Sequence, residues 1–173
     1  MLRILIALTM ILMVSASAAY AETARAAISG TTGTSTVNGI AKFKDTEKGL
    51  EVDVAVSGVT PGAHGIHIHE KGDCSDGANA AGGHYNPDQV KHGHFPKDGP
   101  SGAHPGDLGN IEVDAQGEGS LTAVLPGVTL SGGKLNVGEL AIVLHEKLDD
   151  FGQPTGNAGG RIGCGIILIT QDS

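Results

Sequence analysis

Several things are scarce in this chain, and each scarcity excludes something. Basic residues are few: 11 Lys and Arg stand against 19 Asp and Glu, with no basic cluster. The protein therefore offers no electrostatic footprint for nucleic acid or an anionic membrane surface. After the N-terminal stretch there is no second long apolar run, so nothing in the remainder reads as a membrane span. No segment shows a capped helical stripe with apolar residues every three to four positions. Cysteine is limited to Cys74 and Cys164. If both pair within the chain, only one connectivity exists.

The N-terminus is the one place where apolar residues run together. Met1-Leu2-Arg3 gives a positive start, Ile4 to Val14 is apolar but short for a bilayer, and Ala19-Tyr20-Ala21 precedes Glu22. This is the pattern of a secretory signal peptide over residues 1–21, with no cysteine at its end to carry a lipid. Residues 22–173 then form a single domain of about 150 residues, enough for one adequate core. Losing Arg3 takes the formal net charge from −8 to −9. In an exported chain the two cysteines imply a disulfide, worth about 4 to 5 kcal/mol in the chain-entropy model for a loop of this length. The alternative, two thiolate metal ligands, is disfavoured by export.

What is abundant is glycine, with 28 residues, and short alternating segments. Leu50-Glu51-Val52-Asp53-Val54-Ala55-Val56-Ser57 alternates with period two, the signature of a strand buried on one face. Comparable strands are expected over 26–31, 37–44, 65–70, 108–114, 120–125, 140–145 and 165–170. About eight strands with frequent turns predict an all-β barrel or sandwich. Two stretches break the rhythm, residues 71–107 and 146–163. Connections this long inside a compact domain are commonly functional.

Eight histidines carry the chemistry. In Gly65-Ile66-His67-Ile68-His69-Glu70, strand alternation points His67 and His69 one way and Ile66 and Ile68 the other. Two imidazoles on one face of a stiff strand make a preformed chelate for copper or zinc. The first long loop adds His84, His92, His94, His104 and Asp107. His104 and Asp107, three apart across a turn, can reach one ion. His145 closes the apolar strand at Leu144. These groups are spread over about 80 residues and must be brought together by folding, unlike a contiguous metal-scavenging tract.

In order along the chain stand Gly62-Ala63-His64-Gly65-Ile66-His67-Ile68-His69-Glu70, Gly83-His84-Tyr85-Asn86-Pro87, Gly106-Asp107-Leu108-Gly109-Asn110, His145-Glu146-Lys147-Leu148-Asp149-Asp150 and Gly156-Asn157-Ala158-Gly159-Gly160-Arg161. Together these blocks resemble the copper-zinc superoxide dismutases. The resemblance runs from about residue 24 to the C-terminus. It implies an eight-stranded Greek-key β-barrel with two long functional loops. It also implies dismutation of superoxide to dioxygen and hydrogen peroxide, by a copper ion cycling between Cu(II) and Cu(I) beside a histidine-bridged structural zinc.

Carried over by position, His67, His69, His84 and His145 are the expected copper ligands. His84, His92, His104 and Asp107 are the expected zinc ligands, with His84 as the bridge. Asp149 resembles the carboxylate that links a copper ligand to a zinc ligand, and Arg161 the arginine beside the open copper position. Cys74 and Cys164 resemble the pair that ties the metal loop to the barrel near that arginine. His64 resembles a residue packed behind the copper ligands, and His94 is a competitor to His92 for zinc.

An acidic protein repels an anionic substrate, so a locally positive entry is needed, superoxide dismutase being the standard case of such steering. Arg161 and Lys147 are the nearest candidates, with Lys71, Lys91 and Lys97 as substitutes. The stretch from Asp150 to Thr155 is short and lacks the acid-and-lysine cluster of eukaryotic members. With the signal peptide, Gly72-Asp73-Cys74 and Lys91-His92-Gly93-His94-Phe95-Pro96 point to the bacterial exported branch and the periplasm, or to secretion. Quaternary structure differs among branches, and a homodimer is one expectation. Two rivals remain: a metal-storing or copper-delivering relative without activity, and a secreted adhesive sandwich with incidental histidines. The first should lack a copper ligand or the arginine, and none is missing.

Overall fold

A computed structural model describes residues 21–170, so the signal-peptide reading lies outside the described residues. The long strands run β1 (Thr23–Gly30), β2 (Asn38–Thr46), β3 (Gly49–Ser57), β4 (Gly62–His69), β5 (Asp107–Val113) and β6 (Gly119–Leu125). The minor pair β7 (Val128–Thr129) and β8 (Leu135–Asn136) follows, then β9 (Ala141–His145), β10 (Arg161–Ile166) and β11 (Leu168–Thr170). Among the described residues the helical content is one 3-10 turn at Asn79–Ala81 and one four-residue helix, α1 (Phe95–Asp98). No helix there is long and apolar enough to cross a membrane.

The main strands close into an antiparallel barrel in the order β10-β9-β4-β5-β6-β3-β2-β1, with β1 pairing back to β10 and β11. Counted as one interrupted strand, β10 and β11 make the barrel eight-stranded, as the resemblance implied. The chain passes from β3 to β4 and from β6 to β9 by skipping two strands each time, which are the Greek-key crossovers.

The period-two pattern explains the ladders. In β3, Leu50, Val52, Val54 and Val56 are buried while alternate residues face out. Ala24, Ala26 and Ile28 of β1 do the same, and both rows join one barrel core with Ile66, Ile68, Leu108, Ile142 and Leu144. The two central strands β4 and β9 differ in being buried on both faces. Their inward residues fill the barrel. Outside it, Ala141 and Val143 pack with Ala78, Ala81 and Cys164 beneath the first long loop, and Cys74 lies against that cluster.

Several boundaries differ from expectation: β1 begins at Thr23 rather than 26, and β4 at Gly62 rather than 65. The last strand begins at Arg161 rather than 165, and it breaks at Ile167. There the N–H of Ile167 donates to Leu140 O, and its carbonyl accepts from Glu139 N–H, so it leaves the β1 ladder. Asp107 starts β5 and is not a loop residue. The segment 126–139, where no strand was expected, contains the short parallel pair β7–β8.

Candidate metal centre

The chelate on β4 forms as its alternation requires: Ile66 and Ile68 enter the core, while His67 and His69 face outward and are fully buried beneath the two loops. Backbone bonds carry the first loop to them. Ile68 N–H donates to Gly106 O, Tyr85 N–H to Ile68 O, and Gly106 N–H to Tyr85 O. A Cβ on Gly106 would lie 2.2 Å from Ile68 O, so only glycine permits this approach. His84 forms a bridge with His69. The β4–β9 register brings in His145, and His67 sits opposite Asp107 across the β4–β5 ladder.

Two four-residue donor sets result, each with ligand atoms within 4.8 Å of one another: His67, His69, His84 and His145, and His84, His92, His104 and Asp107. His84 belongs to both. Its Nδ1 lies 2.8 Å from Asp107 Oδ1, which leaves Nε2 for the first set. Asp149 stands behind the pair, with Oδ2 2.8 Å from His67 Nε2 and Oδ1 2.9 Å from His92 Nε2.

Whether a metal fits is decided by the nitrogens left over. Nδ1 of His67 and Nδ1 of His92 are buried without a hydrogen-bond partner, while Asp149 occupies the other nitrogen of each ring. His92 Nδ1 approaches Asp107 Oδ2 at 2.8 Å, but without the direction of a hydrogen bond. His69 and His145 each turn Nδ1 to a carbonyl, Gly82 O and Gly159 O, and set their Nε2 atoms 3.3 Å apart. With N–H at both Nδ1 positions, two lone pairs confront each other at that gap. Orphaned buried nitrogens and facing lone pairs are stabilised by a cation.

The electrostatics point the same way. Burial is the main reason that His69, His145 and His84 stay neutral, with pKa values pushed down to about 2, about 3 and about 4. Burial also opposes charge on His92. There it is outweighed by the nearby carboxylates of Asp107 and Asp149, which lift the pKa to about 9 without metal. Both carboxyls lie well below their usual range: burial would raise them, but the surrounding imidazoles more than offset it. Neutral imidazole at His69, His84 and His145 with ionised carboxylate at Asp107 is the form that binds metal, and His92 must give up its proton to join it.

A small cavity of about 190 Å³ opens over the first set, lined by His69, His84, His145, Thr155, Gly159 and Arg161. A larger concavity, about 810 Å³, lies on the outer barrel face by Ile40, Ala55 and Glu118, away from every histidine. Arg161 donates from its two terminal nitrogens to Ala78 O at 2.5 Å and Gly82 O at 2.6 Å. Both acceptors belong to the segment after Cys74, and Cys74 is bonded to Cys164.

Residues 37–167 match the family model described as copper/zinc superoxide dismutase. The chain belongs to that family. Its metals, copper and zinc, suit two donor sets that share one imidazole. Among relatives of the family, the extracellular copper-zinc superoxide dismutase of Caenorhabditis elegans is 41% identical over 78% of this chain. This chain spans 62% of that protein's length. Those of Haemonchus contortus and Drosophila melanogaster are each 43% identical, over 76% and 72% of this chain and 73% and 71% of their own. The crystal structure of the clock protein EA4 superposes with a TM-score of 0.77 at 37% identity, covering 91% of this chain and all of that one.

Of the residues named from sequence, all seven expected ligands fall in the two donor sets, His84 in both. His94 does not: its ring lies tilted against Phe151, with centroids 5.7 Å apart. His64 is buried behind the centre between His145 O and Thr60 O. Lys147 is exposed and its stem runs beside Gly159, at the cavity edge. Sequence reasoning assigned no role to Asn110, whose side chain bonds both N–H and C=O of Asp149, or to Gln153, which does the same for His92. Asn110 lay inside a motif block, a usable signal; Gln153 lay in none.

Proposed function

We propose that this chain dismutes superoxide, holding copper with His67, His69, His84 and His145 and zinc with His84, His92, His104 and Asp107. The observation that carries the reading is the sharing of His84 between two buried donor sets beneath a small cavity bearing Arg161. Copper bound there supplies one-electron oxidation and reduction of superoxide, and zinc supplies a fixed positive charge. The protein's own groups do the rest. Arg161, steadied by two loop carbonyls, attracts and orients the anion at the cavity floor. His84 keeps Nδ1 directed to the zinc side, so a proton taken up is held at Nε2, facing the cavity, where it can pass to the product peroxide. Asp149 fixes the tautomers of His67 and His92 by accepting from Nε2 of each. The roof of loop residues limits access to small species.

The active unit is a single domain over residues 22–173, exported after cleavage at residue 21. Export is supported by the Ala19-Tyr20-Ala21 pattern, by the Cys74–Cys164 disulfide and by the extracellular designation of the relatives. Within that frame we place it in the bacterial periplasmic branch, on the short Asp150–Thr155 stretch and the Gly72-Asp73-Cys74 junction. Superoxide decay followed by pulse radiolysis on the chain from Glu22, with metal content measured on the same sample, tests the function. Fast decay with one copper and one zinc per chain, lost on copper removal, is the expected result. No decay after copper is supplied would refute it.

A further inference from the structure

Each proposed ligand needs its ring aimed and its backbone held. His67 and His69 lie on β4, His145 on β9, and Asp107 on β5. His84 is bridged to His69. The backbone of His104 is held on both sides by Asp107, whose Oδ2 accepts from His104 N–H and whose own N–H donates to His104 O. His92 is the exception. Residues 90–94 belong to no strand or helix, and among the described residues the partner of the His92 backbone is a side chain.

That side chain is Gln153, from the opposite loop. Its Nε2 donates to His92 O at 2.9 Å, and its Oε1 accepts from His92 N–H at 3.1 Å. Meeting one donor and one acceptor on the same residue fixes the amide's orientation, because turning it would oppose oxygen to oxygen and N–H to N–H. The primary amide thus imitates a neighbouring strand where no ladder exists. Asp149 meanwhile grips the far end of the ring, with Oδ1 at 2.9 Å and Oδ2 at 3.0 Å from Nε2. Asp149 at Nε2 fixes only the far end of the ring, and Asp107 Oδ2 holds the next residue by accepting from Gly93 N–H at 3.0 Å; the N–H and C=O of His92 itself are left to Gln153. With the backbone clamped as well, the free Nδ1 has one direction.

We propose that Gln153 is a positioning residue for zinc: its amide clamps the His92 backbone and so aims Nδ1 at the ion. This rests on the reading of His92 as a zinc ligand. The competing role, a brace that merely joins two loops, makes different demands. A brace would act on the whole roof, on copper as much as zinc, and any side chain filling the space would serve.

The test uses the fully metallated protein with Gln153→Ala, Gln153→Met and His92→Ala, Met being unbranched and of similar length but unable to hydrogen bond. Three quantities are read: zinc release to a chelator, the visible spectrum of Co(II) placed in the zinc site, and copper retention. The melting temperature of the metal-free protein serves as control. Both Gln153 variants should lose zinc about 10- to 100-fold more readily, the usual effect of removing a group that orients a metal ligand. The Co(II) bands should shift, while copper retention, measured with the zinc site kept full, and metal-free melting stay near those of the parent. Unchanged zinc release and Co(II) spectrum in Gln153→Ala, or full rescue by Met, would overturn the proposal. So would equal loss of copper and zinc with a lowered metal-free melting temperature. Unchanged zinc binding in His92→Ala would instead overturn the zinc reading on which the proposal stands.

Discussion

Replacing Cys74 and Cys164 together by alanine should cost stability and, separately, activity. The bond spans a separation of 90 residues. For a closed loop of that length the chain-entropy relation gives about 4.6 kcal/mol at 25 °C. For a domain of about 150 residues this corresponds to a fall in melting temperature of ~15 °C. Alanine is the right replacement because Cys164 is buried among Ala78, Ala81, Ala141 and Val143, where a hydroxyl would go unpaired. The melt should be run on metal-free protein, since bound metal adds its own stabilisation. The second effect comes through Arg161. Its two acceptors, Ala78 O and Gly82 O, are carried by the segment that Cys74 anchors. Freed of that anchor, the metallated variant should keep its copper yet dismute superoxide more slowly. A fall of less than about 1 kcal/mol would refute the loop-closure argument. An unaltered rate at full copper loading would refute the coupling to Arg161.

Other perturbations test the centre directly. Gly156 has φ +75°, and a Cβ there would lie 1.8 Å from Asp149 Oδ1 and 2.6 Å from His92 Nε2; Gly156→Ala should therefore displace Asp149, lower the retention of both metals and destabilise the loop by roughly 1–3 kcal/mol. Parallel metal titrations and melts would check it, and parental values in both would refute it. Asp149→Asn presents an amide N–H to one of two imidazole N–H groups, so copper and zinc affinities should fall about 10- to 100-fold in chelator competition. In the metal-free protein His92 titrates near 9 and is charged at pH 7, whereas the bound ligand must be neutral at Nδ1. Zinc binding at pH 7 should release about one proton from His92, and this contribution should vanish well above pH 9; calorimetry in buffers of differing ionisation enthalpy measures it.

The β4 chelate was legible because a strand has period two, and the same rule located Leu50 to Ser57 and most other ladders. The resemblance named every member of the two donor sets, but bare spacing left His92 and His94 as rivals. What separates them is contact made after folding: both rings lie near Phe151, but only His92 reaches Asp149 and Asp107. The reach of Asp149 to His67 spans 82 residues and to His92 57, distances over which no local pattern carries information. Gln153 was illegible for another reason: a glutamine between Gly152 and Pro154 reads as loop surface, and its pairing depends on where a second loop ends up. The break at Ile167 was also beyond sequence, because it is set by bonds to Glu139 and Leu140 and not by any breaker residue.

The two donor sets are joined twice, through the ring of His84 and through the carboxylate of Asp149. Shared groups make the two loading events thermodynamically linked, and linkage runs equally in both directions. By whatever factor a resident zinc alters the grip on copper, a resident copper must alter the grip on zinc. Filling order then changes nothing in the total binding free energy, only how it is divided between the first arrival and the second. A shortage of either ion in the surroundings becomes, at the level of this fold, a change in retention of both.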